Sequence, residues 1–398
     1  MKKRVFIAMH YLEIGGAETS LIGLLHSFDF EKYDVDLFLY AHRGEMMKYI
    51  PTQVHLLPEE DEYKYIESPI MENLKSGHIS LACARLWAKY QFSKFQKKNK
   101  LSDNSAIYQY IQDAVCPFLP SLEKYGEYDL AISYLTPHRI VLDKVKAKKK
   151  IAWIHTDYSQ VKIDVEREFP VWKSYDYVAS ISDDVTKSFL SIFPSLSTKI
   201  ISIENILSKK IVSDRAMEQT VLFPKEDKRI NFLSIGRFSY AKNYDNVPDI
   251  CKKIRSKGVN VYWYIVGYGA DEALIRRKIR EAGMTDYVCL LGKKENPYPY
   301  IMACDFYVQP SRYEGKSVTV REAQLLGKPV IVSNYPTASS QVRNEIDGMI
   351  VSQENDECAN NIVAFLKDTD KQEIILNNLK KYDYTNEQEI LKLYEIVD

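Results

Sequence analysis

Short β-rich runs alternate with helical patterns twice over in this chain, first through residues 4–203 and again through 230–351. Such alternation builds βαβ units and therefore parallel sheets covered on both faces. The first series falls at 4–10, 35–40, 130–134, 151–155, 177–182 and 200–203. The second falls at 230–235, 261–266, 288–291, 305–309, 330–333 and 349–351. Between them KKIVSDRAMEQTVLFPKEDKR shows few periodic apolar positions and reads as a linker. With 398 residues the chain exceeds the ~250–300 at which a single core stops growing. The expected architecture is α/β, with two doubly wound domains facing across a cleft. The domains are placed at 1–208 and 229–384, the linker at 209–228, and a final helix at 385–398 crosses back to the first domain.

Residues 60–121 break the alternation and read as helices inserted in the first domain. From 73 to 102 there are seven Lys or Arg and no acidic residue, with Trp87, Tyr90, Phe92 and Phe95 interleaved. A basic, aromatic, amphipathic stretch at 85–100 suits an anionic membrane surface. It equally suits a helical hairpin that packs its aromatics on the first sheet and solvates its lysines.

Overall charge excludes little but directs the reading. The 54 basic and 54 acidic side chains balance, so nothing in the net charge calls for nucleic acid. Six dispersed cysteines form no Cys-x-x-Cys pair, which fits a reducing cytoplasm and disfavours a metal site or disulfide framework. The opening MKKRVFIAMHYLEIGG has a short apolar run that soon meets Glu13, and reads as a buried strand rather than a signal peptide. No apolar stretch is long enough to span a bilayer, so the expected location is cytoplasmic, with any membrane contact peripheral and on the inner face.

The chemistry-bearing residues gather where strands run into helices, which is where open α/β sheets bind ligands. In PSRYEGKSVTVREAQ, Glu314 sits on the loop and Glu322 in the first turns of the helix expected at 318–326. Free amides of Gly315, Lys316 and Ser317 at that helix start would form an anion site. Hydroxyl-binding acids beside an anion site describe a nucleotide sugar. In GRFSYAKNY, Gly236 and Arg237 end the first strand of the second half and Lys242 follows, a guanidinium fork and a point charge suited to a diphosphate. By itself an Arg-x4-Lys pair has little specificity. Gly15 and Gly16 of GGAET let backbone approach a ligand after the first strand. This is not the dinucleotide fingerprint, and no acid is placed to close a ribose site. His155 ends the strand IAWIH and can hydrogen-bond a sugar hydroxyl; Asp157 beyond it is a helper or a turn former. The Asp34–Val35–Asp36 triplet begins a buried strand and reads as strand-edge charge, with no metal expected.

Taken in order, GGAE, WIH, GRFSYAKN, IVGYG with Gly267, and P-S-x-x-E-G-x-S-x7-E-A resemble the retaining nucleotide-sugar glycosyltransferases of family 4. The resemblance covers nearly the whole chain except the basic insert. It implies a GT-B fold of two Rossmann-like domains, and a role like that of members in capsular or other surface-polysaccharide biosynthesis. It also implies that Glu314 touches the donor sugar, Glu322 holds the ribose, Arg237 and Lys242 clamp the diphosphate, and Gly15, Gly16 and His155 line the first-domain face. The implied reaction is hexose transfer from a nucleoside diphosphate, UDP by preference, to a saccharide acceptor, with a lipid-linked one inferred from the insert. No cofactor or metal is required in such enzymes. Two features depart from the pattern: Lys316 follows Glu-Gly where a small or apolar residue is usual, and Asn205 follows Ile-Glu where apolar-Pro is usual. A GT-B epimerase or hydrolase, and a non-catalytic nucleotide-sugar binder, are the other readings.

Overall fold

The computed structural model describes residues 2–66, 68–101, 104–159, 161–225, 228–314 and 316–398. Its contacts divide the chain into a first unit of 1–206 with 386–398, and a second unit of 207–385.

Among the described residues the first unit carries a seven-stranded parallel sheet in the order β3-β2-β1-β4-β5-β6-β7. The strands are β1 (Lys3–Met9), β2 (Tyr33–Leu39), β3 (His55–Leu56), β4 (Tyr128–Ser133), β5 (Ala147–Ile154), β6 (Tyr177–Ser180) and β7 (Ile200–Ser202). The two-residue β3 has no counterpart in the sequence reading, being too short to show a period. Val5 to Met9 are wholly buried, as a strand covered on both faces requires. Helix α1 (Gly16–His26) links β1 to β2. The insert between β3 and β4 is helical: α2 (Asp61–Lys64), α3 (Ile70–Lys75), α4 (Ile79–Asn99) and α5 (Ile107–Val115). Beyond β4 come α6 (Arg139–Lys144), α7 (Val165–Ser174) and α8 (Asp183–Ile192).

The insert divides its aromatic residues. Phe92 and Phe95 pack on Tyr110 of α5, with ring centroids 5.8 and 5.9 Å away. Trp87 and Tyr90 stay exposed, 5.6 Å apart, with Lys94 Nζ 4.5 Å above the Tyr90 ring. The hairpin therefore packs its inner aromatics on a neighbouring helix rather than on the sheet, and leaves the outer ones facing solvent.

The second unit opens with α9 (Lys209–Met217), which occupies much of the stretch read as a linker. Its buried Ile211, Val212, Arg215 and Ala216 form two i,i+4 pairs facing the core. A charged residue in that stripe disguised the pattern: Arg215 lies over the Tyr298 ring and donates to the Glu295 carbonyl at 2.9 Å. The sheet follows in the order β10-β9-β8-β11-β12-β13, again parallel. Its strands are β8 (Ile230–Ile235), β9 (Val261–Val266), β10 (Val288–Gly292), β11 (Phe306–Gln309), β12 (Val330–Ser333) and β13 (Gly348–Val351). The helices are α10 (Val247–Ser256), α11 (Glu272–Glu281), α12 (Tyr298–Ala303), α13 (Val318–Leu325), α14 (Asn355–Lys367) and α15 (Thr369–Lys381). The chain then returns to the first unit through α16 (Leu391–Val397), where Tyr394 stacks on Tyr33 at 4.2 Å and accepts from the Asp29 amide.

Both sheets reverse their strand order once, between β1 and β4 in the first and between β8 and β11 in the second. At a reversal the flanking connections leave in opposite directions and open a crevice at the carboxyl ends of the strands. The described site residues expected from the sequence lie on turns, loops or helix starts at, or one strand from, these two points, except Glu322, which lies inside α13.

Candidate active site

In the second unit the crevice is formed by the turns after β8 and β11. Gly236 follows β8 at a close approach, where a Cβ would lie 2.9 Å from Tyr244 Oη and 3.0 Å from Lys242 Cε. Gly267, beyond β9, is needed for a closer approach still: a Cβ would lie 1.9 Å from the Gly236 carbonyl oxygen. The two turns are stapled together. Buried Asn243, in the left-handed conformation at φ 60°, donates to the Pro310 carbonyl at 2.9 Å. Arg312 grips Asp245 through both its terminal nitrogens, at 3.0 and 2.7 Å.

Lys242 and Glu314 meet at this staple. Nζ of Lys242 lies 2.6 Å from Glu314 Oε1, which also accepts from Gln309 Nε2 at 2.8 Å and Ser311 Oγ at 2.6 Å. Thr337 Oγ1 donates to the Glu314 carbonyl at 2.9 Å. Among the described residues no donor reaches Oε2. One carboxylate oxygen thus fixes the side chain while the other keeps its lone pairs for a ligand hydroxyl. Arg237 stands nearby in the chain, exposed and with no hydrogen-bond or ion-pair partner among the described residues. A fixed ammonium and an uncommitted guanidinium on the turn that follows one strand suit a dianionic ligand.

Glu322 is held differently. It is 5% exposed on α13 and accepts from the Tyr298 hydroxyl at 2.7 Å. Burial pushes its carboxyl above the usual range, opposed by that hydroxyl and by the Arg215 charge. Among the described residues the two glutamates share no hydrogen-bond partner; the Tyr307 hydroxyl is 2.6 Å from Gln309 Oε1, which belongs to the side chain that donates to Glu314, and 2.7 Å from Thr319 Oγ1 at the head of α13. The three-amide anion site needs correction. The Ser317 amide already donates to Gln341 Oε1 at 2.8 Å, and Gln341 Nε2 returns a bond to the Ser317 carbonyl at 3.1 Å. That exchange caps α13, whose first residues have no side-chain cap of their own. Lys316 is exposed, and Gly315 lies outside the described residues.

In the first unit Gly15 precedes α1 and Gly16 begins it. The Glu18 carboxylate lies over Gly15, with Oε2 2.1 Å from where a Cβ would stand, and Gly16 faces open space. Burial raises the Glu18 carboxyl, partly offset by its own backbone amide. Ser20 of α1 lies 2.7 Å from the Tyr134 hydroxyl and donates to Asn205 Oδ1 at 2.8 Å, so the unusual Asn205 ties the end of the domain to α1. Tyr134 in turn packs against His155, centroids 4.7 Å apart. Burial pushes the His155 imidazole down to about 3, with a Tyr134 backbone hydrogen bond opposing, so the ring is neutral. Its Nε2 is buried with no partner. Asp157 is exposed and accepts from the Ser159 amide at 2.9 Å, the bond of a turn former. Tyr134 thus joins His155 to Ser20 of α1, the helix that Gly15 and Gly16 open, and Asp157 stands apart.

Residues 218–382 match the family model described as glycosyl transferases group 1. The second unit is a glycosyl transferases group 1 domain. Curated relatives of the chain include the capsular polysaccharide biosynthesis glycosyltransferase CapH of Staphylococcus aureus, 25% identical over 186 residues, 41% of this chain and 49% of that one. Another is the N-acetylgalactosamine-N,N'-diacetylbacillosaminyl-diphospho-undecaprenol 4-alpha-N-acetylgalactosaminyltransferase of Campylobacter jejuni, 24% identical over 153 residues, 38% of this chain and 40% of that one. The chain thus spans less than half the length of these relatives. In fold it is similar to Anabaena HepE, solved in complex with UDP and glucose, with TM-score 0.62 and 15% identity over 99% of this chain and 98% of that one. Two Rossmann-like α/β units of the GT-B class are the shared fold.

Several residues that build the group 1 domain's crevice escaped the sequence reading: Asn243, Gln309, Ser311, Tyr298, Arg215 and Gln341. Asn243 carried a readable signal, an asparagine after a short basic turn where a left-handed residue is needed. The others are ordinary polar residues whose roles arise from tertiary contact. Among the described residues no group of three His, Cys, Asp or Glu side chains is arranged to hold a metal ion, and no helix is long and apolar enough to cross a membrane.

Proposed function

We propose that this chain is a retaining glycosyltransferase that moves a hexose from a nucleoside diphosphate sugar, with UDP as the nucleotide, to a lipid-linked saccharide during surface-polysaccharide assembly. The observation that carries this is the Lys242–Glu314 pair at the strand reversal of the group 1 domain, with Arg237 uncommitted on the same turn. The diphosphate rests on Arg237 and Lys242, Glu314 Oε2 accepts from a donor-sugar hydroxyl, and Glu322 serves the ribose once Tyr298 releases it. As the bond from the anomeric carbon to the β-phosphate oxygen lengthens, the two cations stabilise the negative charge gathering on the leaving group. The acceptor oxygen bonds to the anomeric carbon on the same face, and its proton passes to the departing phosphate. Neither glutamate acts as a covalent nucleophile, and no metal or cofactor takes part. Neutral His155 orients the acceptor hydroxyl.

Support for a nucleotide-sugar donor comes from the UDP and glucose in the HepE structure, and for a lipid-linked acceptor from the undecaprenol substrate in the Campylobacter relative's name. The exposed Leu86, Trp87 and Tyr90 on α4, followed by Lys94, Lys97, Lys98 and Lys100, favour an anionic membrane surface. Each such lysine near headgroups contributes about 1 kcal/mol. Neutralising these four should abolish co-sedimentation with anionic vesicles; unchanged binding removes the membrane from the account.

The decisive assay offers UDP-hexoses with and without lipid-linked saccharides and follows UDP release and products. Release that depends on the acceptor, with a new glycosidic bond, is expected. Release without acceptor marks a hydrolase, interconversion of the sugar an epimerase, and binding without turnover a sensor.

A further inference from the structure

A cavity of about 250 Å³ lies wholly within the first unit, at the carboxyl ends of β4 and β5. Trp153 and His155 from the end of β5, Trp172 from α7, Tyr158 from the loop between them and Tyr108 from α5 line it. Tyr108 belongs to the inserted helices and is about half exposed, at the mouth; Thr156 on the opposite lip is exposed too.

The interior mixes ring faces with a few fixed polar groups. Glu168 is 7% exposed and central: its Oε1 accepts from the Tyr158 hydroxyl at 3.0 Å, and its Oε2 from the Gln109 side-chain amide. A carboxylate has about four acceptor sites, so two bonds leave capacity for a ligand hydroxyl. Gln109 also accepts from the Asp164 amide at 2.8 Å through Oε1, and Arg167 and Arg139 both engage Asp113, so α5 is fastened to α7 and α6. The wall that the insert supplies is therefore fixed in place. Trp153 Nε1, His155 Nε2 and Trp172 Nε1 are buried without partners, three nitrogens on the lining residues that lack a hydrogen bond.

Ligand chemistry follows from these constraints. Among the described lining residues there is no Lys or Arg to pair with a phosphate or carboxylate. The volume is below the ~300–1,000 Å³ of sites for drug-sized molecules, so the occupant is small. Aromatic faces with a hydroxyl acceptor among them suit a pyranose, which has apolar C–H faces and polar edges. The position beside His155, one strand from the reversal at β1 and β4, adjoins the edge where a ligand of this unit is expected.

We infer that this cavity is a subsite for one pyranose ring of the acceptor, and that the inserted helices, through Tyr108 and Gln109, set which sugar enters it. This rests on the transferase reading for the word acceptor; the binding itself does not.

The test uses the full chain and a panel of methyl glycosides of glucose, galactose, N-acetylglucosamine and N-acetylgalactosamine, followed by saturation-transfer NMR without donor. At least one glycoside should bind. Tyr108→Ala should weaken it about tenfold, the cost of losing one aromatic face. Thr156→Trp, which fills the mouth from an exposed position, should abolish it. UDP affinity, measured on the same preparations, should not change, and parent-like near-ultraviolet circular dichroism reports that both variants are folded. Binding of no glycoside, or binding insensitive to both variants, overturns the subsite. UDP binding without glycoside binding overturns the subsite and leaves the donor reading standing; glycoside binding without UDP binding upholds the subsite and sinks the donor reading.

Discussion

The two strand reversals have the same topology and are furnished in opposite ways. In the second unit, short turns after β8 and β11 are stapled by Asn243, by the Arg312–Asp245 fork and by Lys242–Glu314, and the groups offered to a ligand are charged. In the first, the start of α1 carries the Glu18 carboxyl, His155 is held neutral, and the cavity is walled by aromatics and by the inserted helices. A diphosphate is the same in every nucleotide sugar, so its site can be built from local motifs. An acceptor differs from one polymer to another, and an insert can change that surface without disturbing the sheet.

The largest effect should come from the charged side. Arg237→Ala or Lys242→Ala should lower transfer rate about 10²-fold or more, with folding retained, because each removes charge stabilisation that grows in the transition state. Near-full turnover by either variant would erase the contrast.

On the aromatic side the sharper probe is pH. Burial pushes the Glu168 carboxyl from the usual 4.5 up to about 7, against hydrogen bonds from Tyr158 and Gln109. A raised folded-state value means the fold favours the protonated acid. Its contribution is complete below pH 4.5 and is lost as pH rises through about 7. A displacement of this size corresponds to roughly 3 kcal/mol. Chemical denaturation of Glu168→Gln should therefore lack a decline in stability that the parent shows across that window. Parallel curves would mean the carboxyl is not held as described. UDP affinity should be the same in both.

Smaller again is the staple. Asn243→Ala leaves the Pro310 carbonyl unpaired and puts a Cβ-bearing residue without local hydrogen bonds in the left-handed region, at a cost of about 1–3 kcal/mol. Unfolding of the second unit should shift and UDP should bind more weakly. An unchanged protein would show that the turns hold their shape without it.

Legibility in the sequence follows the same division. The two sheets could be read because strands such as 5–9 and 261–266 are nearly unbroken apolar runs, which only doubly covered strands tolerate. The meeting of Lys242 and Glu314 could be anticipated because both stand on turns that follow strands of one parallel sheet. Helix α9 could not, since Arg215 breaks its stripe and is accommodated by tertiary contact with the Tyr298 ring and the Glu295 carbonyl. Ser317 was misassigned because its amide is taken by Gln341, 24 residues away. The cavity was invisible for the same reason: Tyr108, Glu168 and Trp172 become neighbours only when α5 and α7 pack.

The central claim, that the second unit holds a nucleoside diphosphate through Arg237 and Lys242, is tested most directly by calorimetric titration of UDP into the parent chain and the two alanine variants. The account predicts saturable binding to the parent and affinity weakened about tenfold or more in each variant, since each loses a charge-assisted contact. A parent that takes up no UDP, or variants that bind it as tightly as the parent, would contradict it.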